Sequence, residues 1–81
     1  QNYPNPFNPS TTIQYALPRR SQVTLSVYNT LGQLVSTLVN EEQQAGYHEV
    51  KFDGSNIASG VYLYRIQAGD FRQVRRMLVV K

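Results

Sequence analysis

Cysteine and tryptophan are absent from this 81-residue chain, and histidine and methionine occur once each. Without cysteine there is neither a disulfide framework nor a thiolate zinc site. With a single imidazole, any other metal site would rest on carboxylates, and these are dispersed. Charged residues are scarce as well, at 16% against 41% hydrophobic, which is the composition of a folded domain and not of a disordered segment. The longest unbroken apolar run is Met77-Leu78-Val79-Val80, far short of the ~20 residues a membrane helix needs, so no membrane insertion is expected. No basic stretch followed by an apolar core opens the chain. It therefore reads as a piece of a longer protein whose targeting information lies elsewhere or takes another form. At this length there is one small domain, for which apolar burial and chain ordering each come to on the order of 120 kcal/mol. That leaves no spare core for a deep cavity.

Catalysis needs a nucleophile, a base or a metal, and the sequence is poor in all three. His48 sits in an alternating segment between Tyr47 and Glu49, where a lone histidine is a packing or surface residue more often than a general base. Glu41 and Glu42 are sequence neighbours, a poor arrangement for two carboxylates that must attack one bond from opposite sides. Asp53 and Asp70 fall in turn sequences that already explain them. No phosphate-cradling glycine loop and no serine-elbow motif occurs. Neither enzymatic activity nor a cofactor is expected.

The hydrophobic period is two almost throughout. Val23, Leu25 and Val27 alternate with Gln22, Thr24 and Ser26; Thr12 to Leu17 alternates likewise and stops at Pro18, which has no amide to give a ladder. Val50 and Phe52 oppose Glu49 and Lys51. Tyr62, Tyr64 and Ile66 share one face, with Val61, Leu63 and Arg65 on the other, and a last strand from about Phe71 to Val80 offers Met77 and Val79 to the core. The segment from Leu31 to Leu38 is the nearest to a helical stripe, but its β-branched content favours a strand. Asn29-Thr30-Leu31-Gly32 reads as a tight hairpin and Gly69-Asp70 as another. Asn40 to Gly46 reads as a polar loop, and Asp53 to Gly60 as a longer connection with a short strand near Ile57. The expected fold is an all-β, immunoglobulin-like antiparallel sandwich of six or seven strands, spanning residues 10–81. Residues 1–9 hold three of the four prolines and read as a semi-rigid linker from an upstream domain. Phe7 is placed to dock on the end of the sandwich, and a proline-rich ligand for an aromatic groove is the sharper alternative.

Net charge is +3, unevenly placed: Arg65, Arg72, Arg75, Arg76 and Lys81 put five of the eight basic residues in the last seventeen positions, against Asp70 alone. Such an edge attracts nucleic acid or anionic lipid, or simply solvates a strand and discourages edge-to-edge pairing. Tyr62 and Tyr64 beside Arg65, followed by Phe71 and Arg72, are readable as a stacking surface for a nucleic acid or glycan. Aromatics at period two fit the core of a small sandwich better, and no nucleic-acid partner is expected.

Several blocks also carry a resemblance: Pro4-Asn5-Pro6-Phe7-Asn8-Pro9-Ser10-Thr11-Thr12-Ile13, then Val27-Tyr28-Asn29-Thr30-Leu31-Gly32-Gln33-Leu34-Val35 and Ala45-Gly46-Tyr47-His48. Phe52-Asp53-Gly54, Ile57-Ala58-Ser59-Gly60-Val61-Tyr62-Leu63-Tyr64 and Arg76-Met77-Leu78-Val79-Val80-Lys81 follow. In this order and spacing the chain resembles, over its whole length, the type A C-terminal sorting domains of the type IX secretion system. The pattern shades into the immunoglobulin-like domain of flagellar hook-capping proteins. The resemblance implies a non-catalytic address at the end of secreted enzymes and adhesins, carried through the periplasm and across the outer membrane to the cell surface or medium. Its implied partners are the upstream cargo, the outer-membrane secretion machinery and a sortase-like peptidase that removes the domain, upstream of or within Gln1 to Asn8. The expected recognition element is the terminal hairpin: Gly60, Val61, Tyr62, Gly69, Asp70, Arg72, Arg75, Arg76 and Lys81. The family pattern often carries lysine where Arg76 stands, and arginine keeps the charge but not the hydration or donor geometry. The competing reading is a structural or adhesive immunoglobulin-like module, for hook-cap-type assembly or glycan binding, that persists on the mature protein.

Overall fold

In the computed structural model, which describes residues 2–3 and 10–80, seven strands follow one another along the chain. They are β1 (Asn2–Tyr3), β2 (Ser10–Leu17), β3 (Ser21–Asn29), β4 (Leu34–Gln43), β5 (Gly46–Asp53), β6 (Gly60–Ala68) and β7 (Phe71–Val79). No helix occurs among the described residues. One sheet has the order β1-β2-β5 and the other β4-β3-β6-β7, with every pairing antiparallel. In immunoglobulin lettering these are A-B-E and C′-C-F-G, so the expected sandwich forms.

The alternation read from the sequence becomes the two sides of each sheet. Val23, Leu25 and Val27 of β3 are 0% exposed, and opposite them in register on β6 stand Ala68, Ile66 and Tyr64, all buried. Ile13, Leu17 and Phe52 close the core from the three-stranded sheet, and Met77 and Val79 extend it under β7. Because the side-chain period is two, a one-residue slip would turn this entire set to solvent.

Turn chemistry fixes the register. Asn29 Oδ1 accepts from the amides of Leu31 (2.9 Å) and Gln33 (3.0 Å), while Gly32, at φ 83°, donates its amide to the Asn29 carbonyl at 3.0 Å. This is the three-residue hairpin in which glycine takes the left-handed position. Gly69, at φ 60°, opens the two-residue turn between Ala68 and Phe71, a register partner pair. Tyr62, at the start of β6, donates its hydroxyl to the Ala58 carbonyl at 2.7 Å, the backward hydrogen bond of a tyrosine corner.

Two local expectations fail. The polar loop from Asn40 to Gly46 is mostly strand: β4 runs to Gln43, with Glu41, Glu42 and Gln43 paired to Val23, Gln22 and Ser21, and only Gln44 and Ala45 separate it from β5. An edge strand tolerates that polar composition, and the Arg20–Glu42 ion pair at 2.8 Å holds its end. No strand forms near Ile57. Asp53 Oδ1 accepts the Ser55 amide at 2.9 Å, the Ile57 amide reaches the Gly54 carbonyl at 3.3 Å, and the half-buried Ile57 packs on the core from a turn. The short additional strand is Asn2–Tyr3 instead, paired with Ile13 and Thr12. Pro4 to Pro9, including the expected docking of Phe7, lies outside the described residues.

Leu25→Ala is expected to lower unfolding free energy by about 2–5 kcal/mol, measured by urea denaturation. Gly69→Ala forces a Cβ into a left-handed conformation and should cost about 1–2 kcal/mol. No Cβ clash adds to that cost, since a Cβ there would meet nothing within 4 Å. An unchanged midpoint for either variant would contradict the facing or the turn assigned here.

Candidate recognition surface

The terminal hairpin, β6 and β7, forms an unbroken ladder. Gly60 pairs with Val79 and the register runs unbroken to Ala68 opposite Phe71, whereas the β3–β4 ladder shifts twice. The faces of the hairpin divide its side chains. Tyr62, Tyr64, Ile66, Met77 and Val79 enter the core. Val61, Leu63, Arg65 and Gln67 of β6 oppose Leu78, Arg76, Val74 and Arg72 of β7 on the outer side.

The residues expected to carry recognition therefore separate. Val61, Arg72 and Arg76 share the outer face and are exposed, with Val61 near the Gly60 end and Arg72 near the Gly69 turn. Gly69 and Asp70 form the exposed turn, beside Arg19, Arg20 and Phe71 at a shallow cleft. Gly60 begins β6 at φ 154°. Tyr62 is buried, with its hydroxyl committed to Ala58. Arg75 is paired with the buried Tyr64, on the core side by register, yet lies exposed because β7 is the edge of its sheet. Lys81 is outside the described residues.

Sequence reasoning missed how β3 and β4 continue the outer face. Tyr28 is paired with Leu63 on one side and with Leu34 on the other. The Arg65 guanidinium lies 5.2 Å from the Tyr28 ring centre and donates through Nη2 to its hydroxyl at 2.8 Å. Thirty-seven residues separate that pair, and only the β3–β6 register brings them together. The signal available beforehand was parity: Val74 and Leu78 alternate out of phase with Met77 and Val79.

The imidazole and four of the five carboxylates make local contacts. His48 Nε2 donates to the Gln44 carbonyl at 2.7 Å, and its ring stacks on Tyr15 with centroids 5.4 Å apart. Glu42 pairs with Arg20, Glu49 accepts from Gln14 Nε2 at 2.8 Å, and Glu41 accepts from Gln43 Nε2 at 3.2 Å. No group of three metal-ligating side chains occurs among the described residues. Tyr15 donates its hydroxyl to Gln43 Oε1. Burial pushes the Tyr15 phenol above its ordinary value; the Gln43 hydrogen bond opposes this, and the charge of Glu41 adds to it.

A family of secretion system C-terminal sorting domains matches residues 1–81. The chain belongs to that family. The sorting domain is thus a C-terminal signal for type IX secretion, a class of signal that implies secretion machinery, a cargo in the same chain, and export to the cell surface or extracellular space. No curated protein matches the chain. Among solved structures it is similar to PorZ, an essential bacterial surface component of the type-IX secretion system of human oral-microbiomic Porphyromonas gingivalis. The TM-score is 0.68 at 23% identity, over 100% of this chain and 11% of that one. At that identity the likeness speaks for the fold, and the sorting domain spans a small fraction of the PorZ length.

The Tyr15 phenol yields a pH prediction. A folded pKa raised above the ordinary value near 10 gives stability that is complete below that value and is lost as pH rises through the folded pKa. Melting temperature should therefore fall above about pH 10, and fall less steeply in Tyr15→Phe. Equal slopes in the two proteins would place the alkaline loss elsewhere.

Proposed function

We propose that the sorting domain acts without catalysis, as a folded address read by the outer-membrane secretion machinery after transit through the periplasm. In this reading a sortase-like peptidase then separates it from its cargo, in the segment upstream of or within Gln1 to Asn8, and the body of the signal is 10–81. The terminal hairpin, with Gly60, Val61, Gly69, Asp70, Arg72, Arg75, Arg76 and Lys81 as its candidate contacts and Tyr62 as the packing residue that holds it, carries recognition. The observation that carries this reading is the family match across all 81 residues. Two features of the molecule are in keeping with it. A signal read after folding must be a surface, and the β6–β7 ladder offers a regular one. The carboxylates and the imidazole are largely engaged in local contacts, which leaves little to act on a substrate.

Residues 1–81 fused behind a periplasmic reporter, in a host with this secretion system, should send the reporter to the surface or medium and be removed from it. A reporter that stays periplasmic and uncleaved would end the proposal. A domain that reaches the surface and persists there on the mature protein would instead favour a structural module.

A further inference from the structure

The outer face of the four-stranded sheet does not have the composition of a solvated face. The registers lay it out in cross-strand rows. One row reads Leu34, Tyr28, Leu63, Arg76; the next reads Thr37, Ser26, Arg65, Val74; a third reads Asn40, Thr24, Gln67, Arg72; and Glu42, paired with Arg20, stands opposite Gln22 at the polar far end. Val61 opposite Leu78 completes the end near Gly60. Adjacent rows lie about 7 Å apart and adjacent strands about 4.8 Å, so aliphatic and guanidinium groups alternate at contact spacing. Leu78, Val61, Val74 and Leu34 are between 39% and 59% exposed. The outer face of the other sheet is mostly polar by contrast, with Thr12 opposite Lys51, Gln14 opposite Glu49 and Ser10 opposite Asp53, and the exposed aromatic Tyr47 opposite Ala16.

Exposed aliphatics, tyrosine and arginine, with lysine and acids depleted, make up the composition of protein interfaces. β6 and β7 contain neither lysine nor any acid. Among the described residues the one ion pair is Arg20–Glu42, so Arg72 and Arg76 hold no carboxylate there. Arg65 is held by Tyr28 through one of its five donor hydrogens, which presents the others in a fixed direction.

We propose that this outer face, centred on Tyr28, Leu63, Val61 and Val74 and bordered by Arg65, Arg72 and Arg76, docks a protein surface with an apolar centre edged by Asp or Glu side chains. The inference rests on the sorting reading and specifies the surface and chemistry through which that signal is read. Charge selects the occupant. A second copy would set like guanidiniums against one another. An anionic bilayer would supply the charge, but these aliphatics lie flat within a sheet between arginines and do not project from a loop into a membrane. Tyr62 and Arg75 fall on the core side of the sheet and are outside the docking face.

Two outward pairs test it in the reporter fusion of residues 1–81. Arg72→Glu/Arg76→Glu reverses the border, and Val61→Ser/Val74→Ser removes apolar area without changing charge. Both should melt within a few degrees of the parent domain and lower exported relative to retained reporter at least tenfold. The charge-matched control Lys51→Glu/Gln44→Glu/Ala45→Glu, at exposed positions on β5 and the β4–β5 turn, should export as the parent does. If one pair unfolds the domain, the other, together with the milder Arg72→Gln/Arg76→Gln, decides the matter. Folded face variants that export normally would overturn the docking face while leaving the sorting reading intact. Loss in the control as well would assign the effect to net charge and overturn it too. A parent fusion that stays inside removes the sorting reading and this inference with it. Co-sedimentation with phosphatidylglycerol but not phosphatidylcholine vesicles at about 0.15 M salt, abolished by Arg72→Glu/Arg76→Glu, would make the face a lipid surface and overturn the protein partner.

Discussion

β3 holds the molecule together. It pairs on both sides, with β4 and with β6, and its inward residues Val23, Leu25 and Val27 are the part of the core that water does not reach at all. A chain of this size with no disulfide has no other staple, so the apolar layer between the sheets must supply both stability and register. The glycine-containing turns matter because they fix which residue of β4 or β7 stands opposite which residue of β3 or β6. With a period of two, one misplaced residue inverts a strand.

That dependence explains what could be read beforehand. In β3 alternation is strict, in β6 large residues recur at period two, and the flanking turns have specific chemistry, so the faces of Val23 to Val27 and Tyr62 to Ile66 were legible residue by residue. Legibility failed where composition and position conflict. Glu41, Glu42 and Gln43 look like a loop, because a half-solvated edge strand and a loop draw on the same polar residues. Ile57, an apolar residue between turn signals, looks like a strand but packs on the core from a turn. Asn2–Tyr3 is too short for any periodicity to show. For the recognition surface, the clustering of arginine near the C-terminus was plain, and the alternation already opposed Arg65 to the core. What the sequence could not display is adjacency across strands. The row Leu34, Tyr28, Leu63, Arg76 draws on four segments spread over more than half the chain.

In the reading proposed here, the sorting signal carries its information in a rigid surface pattern. The inner face makes the pattern rigid: Tyr64, Ile66 and Met77 fix the strands from beneath, and the tyrosine-corner bond from Tyr62 fixes where β6 begins. The outer face is then free to vary in chemistry at little cost to folding, since its side chains contribute less buried area. In the proposed reading, packing and recognition fall to alternate residues of the same two strands.

The position of β7 at the end of its sheet shows how such a surface stays specific. A nine-residue edge strand is a template for any passing strand, and β7 has neither the register shifts of the β3–β4 ladder nor a proline. Its defence is charge: Arg72, Arg76 and the edge-exposed Arg75 repel an identical edge. Repulsion of like surfaces and attraction of an acidic one come from the same guanidiniums, because the first scales with the square of the positive charge and the second with its product with the partner's negative charge. A domain carried past many other proteins needs both properties together. Arginine on two strands that carry no acid provides them, since an acid there would weaken attraction to the partner and offer the arginines of a second copy something to bind.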